Sequence, residues 1–92
     1  MTTTASATHV VYLSRRLVRR MEIGACARAH RAESSEARRI AKSYANYLEQ
    51  SLRVRGETIE IRGPMDLIER MAVVCGDVPA ALEIGRQLQV DV

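Results

Sequence analysis

The stretch Gly56–Met71, GETIEIRGPMDLIERM, decides the fold. Thr58, Glu60 and Arg62 alternate with Ile59 and Ile61, the two-residue period of a strand with one buried face, over 57–62. Gly63-Pro64 ends that pattern. Pro64 suits the first position of a helix, where its missing N–H costs nothing, and Asp66 follows in the turn that favours a negative charge. A lone strand leaves its backbone donors and acceptors unpaired, so 57–62 needs a neighbour. Three are open: HVVYL at 9–13, LQVDV at 88–92, or the same strand in a second copy of the chain. Leu88, Val90 and Val92 alternate as Ile59 and Ile61 do, and a helical crossover can join parallel strands. The reading therefore pairs 57–62 with 88–92, ahead of a homodimer joined strand to strand. Pairing with 9–13 conflicts with a helix there.

Downstream, Gly76 stops a helix at 64–75 and Asp77 caps a second at 78–89, with Pro79 tolerated in its first turn. Both are apolar around most of their circumference, which predicts that this hairpin, Leu82 included, is the core. Upstream, SSEARRIAKSYANYLEQSLRVRG (34–56) reads as a helix N-capped by Ser34 or Ser35 and stopped by Gly56. Its buried stripe is Ala37, Ile40, Ala41, Tyr44, Leu48 and Leu52. Residues 8–30 place Leu13, Leu17, Met21 and Ala25 on one line, so they read as a helix from Thr8 to His30, with a strand at 9–13 as the alternative. No internal repeat is apparent.

The fold class is thus mainly α: a small single domain of about four helices, with one short strand at 57–62 paired with 88–92 or with a second subunit. Residues 1–7 are polar and expected to fray, 8–56 form a basic helical half, and 57–92 form an acidic strand-plus-hairpin half. With no Trp, no Phe and three Tyr, the core must come from aliphatic side chains. Cys26 and Cys75 stand in no CxxC and beside no His, so they read as buried thiols of a reducing cytoplasm. Neither a secretory signal nor an apolar run long enough to span a membrane is present, so the expected location is cytoplasmic.

The net charge of +3 hides a division. Residues 1–56 hold eleven Lys and Arg against four acids, and 57–92 hold three Arg against seven acids. Arg15, Arg16, Arg19 and Arg20 fall on adjacent ridges of the first helix, and Arg38, Arg39 and Lys42 lie off the buried stripe of the second. Thirteen of the fourteen cations are Arg, whose planar fork suits phosphate and carboxylate. Tyr47, three residues from the buried-stripe Tyr44, is the aromatic best placed to stack on a base or a partner. These eight residues are the candidate partner-binding set. His9 and His30 lack companions for catalysis, and Asp66, Glu69 and Asp77 lack ligand neighbours, so neither enzymatic activity, a metal nor a cofactor is expected.

TIEIRGPMDLIERM is similar to the opening of the ribbon-helix-helix DNA-binding family, with Pro64, Leu67 and Met71 at matching spacing. The resemblance implies that Ile59 and Ile61 face the core, that Thr58, Glu60 and Arg62 face a DNA groove, and that the strand pairs with its copy in a second subunit. The first helix is about a turn short of that pattern, and Glu60 sets a negative charge towards phosphate. A helix-turn-helix spacing also exists at Ala72, Gly76 and Leu82, which would expose Ala80, Glu83, Arg86 and Gln87 on 78–89. The expected function is a non-enzymatic binding protein whose basic N-terminal helical face docks an acidic partner. Nucleic acid bound by a regulator is the first candidate. The alternative is a protein–protein module, an adapter or an inhibitor that meets an acidic protein surface.

Overall fold

In the computed structural model, which describes residues 7–90, the chain runs β1 (Thr8–Ser14), α1 (Arg15–Arg31), α2 (Ser35–Leu52), β2 (Thr58–Pro64), α3 (Met65–Cys75) and α4 (Val78–Val90). The expected fraying of 1–7 falls almost wholly outside the described residues. The chain is mainly helical, with four helices as the periodicities predict, but it has two strands. The partner of β2 is β1, antiparallel, with Val11 opposite Ile61 at the centre and Ser14 opposite Thr58 at one end. HVVYL is therefore strand, and the first helix begins at Arg15. The misreading has a physical source. Leu13 fits both the helical line to Leu17 and the strand alternation with Val11, and the partner that decides between them lies some fifty residues away. Pairing with 88–92 does not occur: α4 continues as helix to Val90, and Asp91 and Val92 lie outside the described residues.

The element order is strand–helix–helix, twice. Moving fifty positions along the chain carries Thr8 onto Thr58 and Ser14 onto Pro64, and it maps the ribbon's register onto itself. The same offset superposes Leu17 on Leu67, Arg20 on Arg70 and Met21 on Met71 as identities, with Val11/Ile61, Val18/Ile68 and Ile23/Val73 as close replacements. This is an internal repeat that the sequence reading missed, because the connecting lengths differ: α1 has 17 residues and α3 has 11. The copy that the strand seeks lies within its own chain.

The core sits under one face of the ribbon. Val11, Leu13, Ile59 and Ile61 point inwards and meet Val18 and Met21 of α1, Leu48 of α2, Ile68 and Met71 of α3, and Ile84 and Leu88 of α4. The acidic hairpin contributes to this core without constituting it. On α4 the buried line is Ala80, Ile84 and Leu88, so Leu82, 69% exposed, faces out while Ala80 faces in, the reverse of both sequence expectations. On α2 the buried residues are Ala41, Ala45 and Leu48, which leaves Ala37 and Ile40 exposed. Cys75 is buried as expected but Cys26 is exposed, and both are free thiols.

Local signals close several elements as the sequence indicates. Gly56, however, does not stop α2, which ends at Leu52 with Arg53 as its cap, and Pro64 ends β2 and caps α3 instead of opening the helix. Ser14 and Ser34 accept the N–H of Leu17 and of Ala37 and so N-cap α1 and α2. Gly76 ends α3 at φ 69°, a left-handed value that favours glycine. Asp77 Oδ1 then accepts from the Ala80 N–H to cap α4. Its other oxygen takes Arg20 Nε at 2.7 Å, binding α1 of the first half to the start of α4 in the second. A close backbone contact between the halves lies at Gly24. At Gly24 a Cβ would stand 2.0 Å from the Cys75 carbonyl oxygen, so only glycine lets α1 approach the end of α3 this closely.

Candidate nucleic-acid interface

A two-stranded ribbon has two open edges, and each is held by a helix of the opposite half. Gln87 on α4 accepts from the Tyr12 N–H at 2.8 Å and donates to its carbonyl at 2.7 Å. Tyr47 on α2 does the same for Arg62, its hydroxyl accepting from the N–H at 3.1 Å and donating to the carbonyl at 3.3 Å. Tyr12 and Arg62 are equivalent under the repeat. These contacts satisfy edge groups that would otherwise be templates for another strand. They also set the ribbon's outward side chains on a fixed base.

That outer face carries Thr8, Val10, Tyr12 and Ser14 from β1 and Thr58, Glu60, Arg62 and Pro64 from β2, with Tyr12 55% exposed. Thr58, Glu60 and Arg62 point out and Ile59 and Ile61 point in, as the resemblance implies. Glu60 does not stand as a bare negative charge: its carboxylate accepts from Nε and Nη2 of Arg62, an ion pair that raises the Arg62 pKa. Sequence reading missed Tyr12 because β1 was read as helix, and missed Gln87 because a polar residue on a helix carries no sign of the backbone it will meet.

The eight candidate residues divide. Arg15 is committed inside the fold: its guanidinium donates to the carbonyls of Leu52 (2.6 Å), Val54 and Gly56 (2.8 Å), closing the C-terminal end of α2 where a positive charge is favoured. Arg20 is paired with Asp77. Arg38 gives one N–H to the Ala32 carbonyl in the α1–α2 turn. Tyr47 holds the ribbon edge and stays 39% exposed. Arg16, Arg19, Arg39 and Lys42 are exposed and, among the described residues, form no ion pair. In the second half Asp66 is meanwhile paired with Arg70 and Glu83 with Arg86, while Glu57 and Glu69 form no ion pair among the described residues. Arg86 and Gln87 hold the Glu83 carboxyl below its ordinary pKa.

The free cations and the ribbon are joined along α2. Arg39, Ser43 and Tyr47 fall on one i, i+4 ridge. A shallow depression lined by Ser35, Arg38, Arg39, Lys42, Ser43 and Asn46 adjoins a second, lined by Ser43, Tyr44, Tyr47, Arg62 and Leu67. Behind the ridge, a 730 Å³ cleft between α1 and α2 is walled by Cys26, His30, Arg38, Lys42 and Asn46 and contains no acid. The surface thus passes from a cationic stretch of α2, through a depression that Ile61, Leu67, Ile68 and Met71 make mostly apolar, to the ribbon's edge at Arg62. No described helix is long and apolar enough to cross a membrane. In comparisons with protein families, characterised proteins and solved structures, nothing matches this chain.

Proposed function

We propose that the protein is a non-enzymatic DNA-binding protein, a regulator by type, that lays the outer face of its ribbon in the major groove and sets α1 and α2 cations on the phosphates. The major groove is wide enough for a two-stranded ribbon, and side chains on the ribbon's outer face then reach base edges. The observation that carries this reading is the exposed, edge-clamped ribbon held by the same α2 on which Arg39 and Lys42 have no acidic partner among the described residues. The duplicated strand–helix–helix order supports it too, since it supplies within one chain the pairing that the ribbon-helix-helix resemblance implies. Arg15, Arg20 and Arg38 serve the fold, so the basic face narrows to Arg16, Arg19, Arg39 and Lys42. The test is fluorescence anisotropy on a labelled duplex over a salt series. Arg39→Ala with Lys42→Ala should weaken binding to all sequences alike and flatten the log–log salt slope by about 2. Absence of any duplex binding at low salt overturns the proposal.

One observation favours a second reading, the protein–protein module. Between α2 and α3, Ile40, Tyr44, Val73 and Val74 line a groove rimmed by Asp66, Glu69 and Arg70, and Val73 is 70% exposed. Apolar surface of this kind suits a protein partner, whose binding would respond little to salt.

A further inference from the structure

We infer that the DNA site of this protein is not palindromic: one chain reads the two sides of its ribbon's centre with different chemistry and holds phosphates on one side only. The inference rests on the proposed function and adds the architecture of the site. A symmetric dimer imposes its two-fold axis on the DNA, so both half-sites are read by the same residues. Here the axis survives in the ribbon's backbone register and fails in its side chains.

On the ribbon's outer face the fifty-residue offset equates Thr8 with Thr58, Val10 with Glu60, Tyr12 with Arg62 and Ser14 with Pro64. Only the first pair is chemically alike. Val10 offers an apolar contact, the type that suits a thymine methyl, whereas Glu60 is an acceptor, the type that suits the cytosine amino group. Tyr12 ends in one hydroxyl. Arg62 gives Nε and Nη2 to Glu60 and keeps Nη1 free, a donor for guanine O6 or N7.

The flanks differ more sharply. Arg16 and Arg19 on α1 are exposed and unpaired by acids, and their equivalents on α3 are Asp66 and Glu69, also exposed. At both positions a cation of the first half is replaced by a carboxylate in the second. Arg39 and Lys42 add to the cationic flank. The α4 N-terminus carries Asp77, Val78 and Pro79 where α2 begins with Ser34, Ser35 and Glu36, followed by two arginines. A duplex centred on the ribbon would be gripped by the first half and only faced by the second.

The test is enrichment of bound sequences from a pool of randomised duplexes by the full chain, with native mass spectrometry of the complex. The expected result is a motif without inverted symmetry, occupied by one chain, with phosphate-ethylation interference confined to one side of its centre. Tyr12→Ala should relax base preference on one side of the centre and Arg62→Ala on the other, each by roughly tenfold at the affected position. Both side chains are exposed on the outer face, so the fold remains. A palindromic motif, two chains per duplex, or salt-dependent binding with no sequence enriched overturns the inference and leaves DNA binding standing. Absence of salt-dependent binding overturns the functional proposal itself.

Discussion

The two strand–helix–helix halves share a ribbon and a core but spend their charged side chains differently. In the second half three acids find cations close by, Glu60 with Arg62, Asp66 with Arg70 and Glu83 with Arg86. In the first half Arg15 and Arg38 donate to carbonyls, Arg20 and Arg53 pair with Asp77 and Glu49, and Arg16, Arg19 and Arg39 form no ion pair among the described residues. Arg20 and Arg70 show why position alone does not settle such a role. They are equivalent under the repeat, yet Arg20 reaches the capping Asp77 of the opposite half. Arg70 pairs with Asp66 on its own helix and borders the groove at Ile40 and Tyr44, about two to three turns past the α2 N-cap. The cap of α2 that corresponds to Asp77 is Ser34, which carries no carboxylate, so the cross-link has no counterpart.

The largest effect that separates the halves is at Gly24. Gly24→Ala puts a methyl into the Cys75 carbonyl, where rotation of a side chain gives no relief, so α1 and α3 must move apart. The expected loss is about 4 kcal/mol or more, above the usual ~1–3 kcal/mol of overpacking, although alanine is the better helix former. Val74→Ala, at the equivalent and partly exposed position, should cost about 1 kcal/mol. Denaturant unfolding of both variants tests the contrast, and a Gly24→Ala protein as stable as the parent would place the close approach elsewhere.

Next come the leucines beside the two edge clamps. Leu48 follows Tyr47 and Leu88 follows Gln87, and both are buried. Leu48→Ala and Leu88→Ala should each cost on the order of 2–5 kcal/mol, with thermal melts showing similar losses. Leu82→Ala, on the outer side of the same α4, should leave the melt within about 0.5 kcal/mol. A large loss at Leu82 with none at Leu88 would mean that α4 is rotated about its axis.

Smaller effects attend the clamps themselves. Tyr47→Phe and Gln87→Ala each remove two hydrogen bonds to an edge that water can partly serve, for a cost of about 0.5–1.5 kcal/mol. Amide hydrogen exchange should quicken at Arg62 in the first variant and at Tyr12 in the second. Exchange unchanged at both would show that the helices do not hold the ribbon.

The mildest contrast needs no mutation. Burial, then the neighbouring Asp77 and Cys26, push the Cys75 thiol up to about 12, so little thiolate forms there at neutral pH. Maleimide at pH 7.5 should add once, at exposed Cys26, and add to Cys75 only when the chain is unfolded. Equal labelling of both in the folded protein would contradict the buried α1–α3 contact.

What the sequence reveals follows the range of the interactions. The Ser34 cap, the Gly76 stop and the Asp77 cap are decided within four residues, and each was legible. The inward face of β2 was legible too, since Ile59 and Ile61 alternate with polar neighbours. Residues 9–13 were not, because an apolar run of five is ambiguous until its partner is known. Helix rotation failed where apolar residues surround a helix: α4 offers Val78, Ala80, Ala81, Leu82, Ile84 and Leu88, and only packing selects among them. At the candidate interface the charge division was plain. Which cations stay free was hidden, since Arg15 and Arg38 are claimed by carbonyls and every carbonyl looks alike in a sequence.

The joining of both strands in one chain has a further consequence, in how the protein comes together. A ribbon assembled from two subunits forms only as fast and as completely as their concentration allows, and its melting point rises with that concentration. Here the second strand is tethered, and closing the long intervening loop adds only a slowly growing entropic cost. Unfolding should therefore be first order, with a midpoint that is the same in dilute and concentrated solution. Mixing differently labelled samples of the chain should produce no mixed pairs through the ribbon. The pairing of a cationic half with an acidic one is fixed when the chain is made.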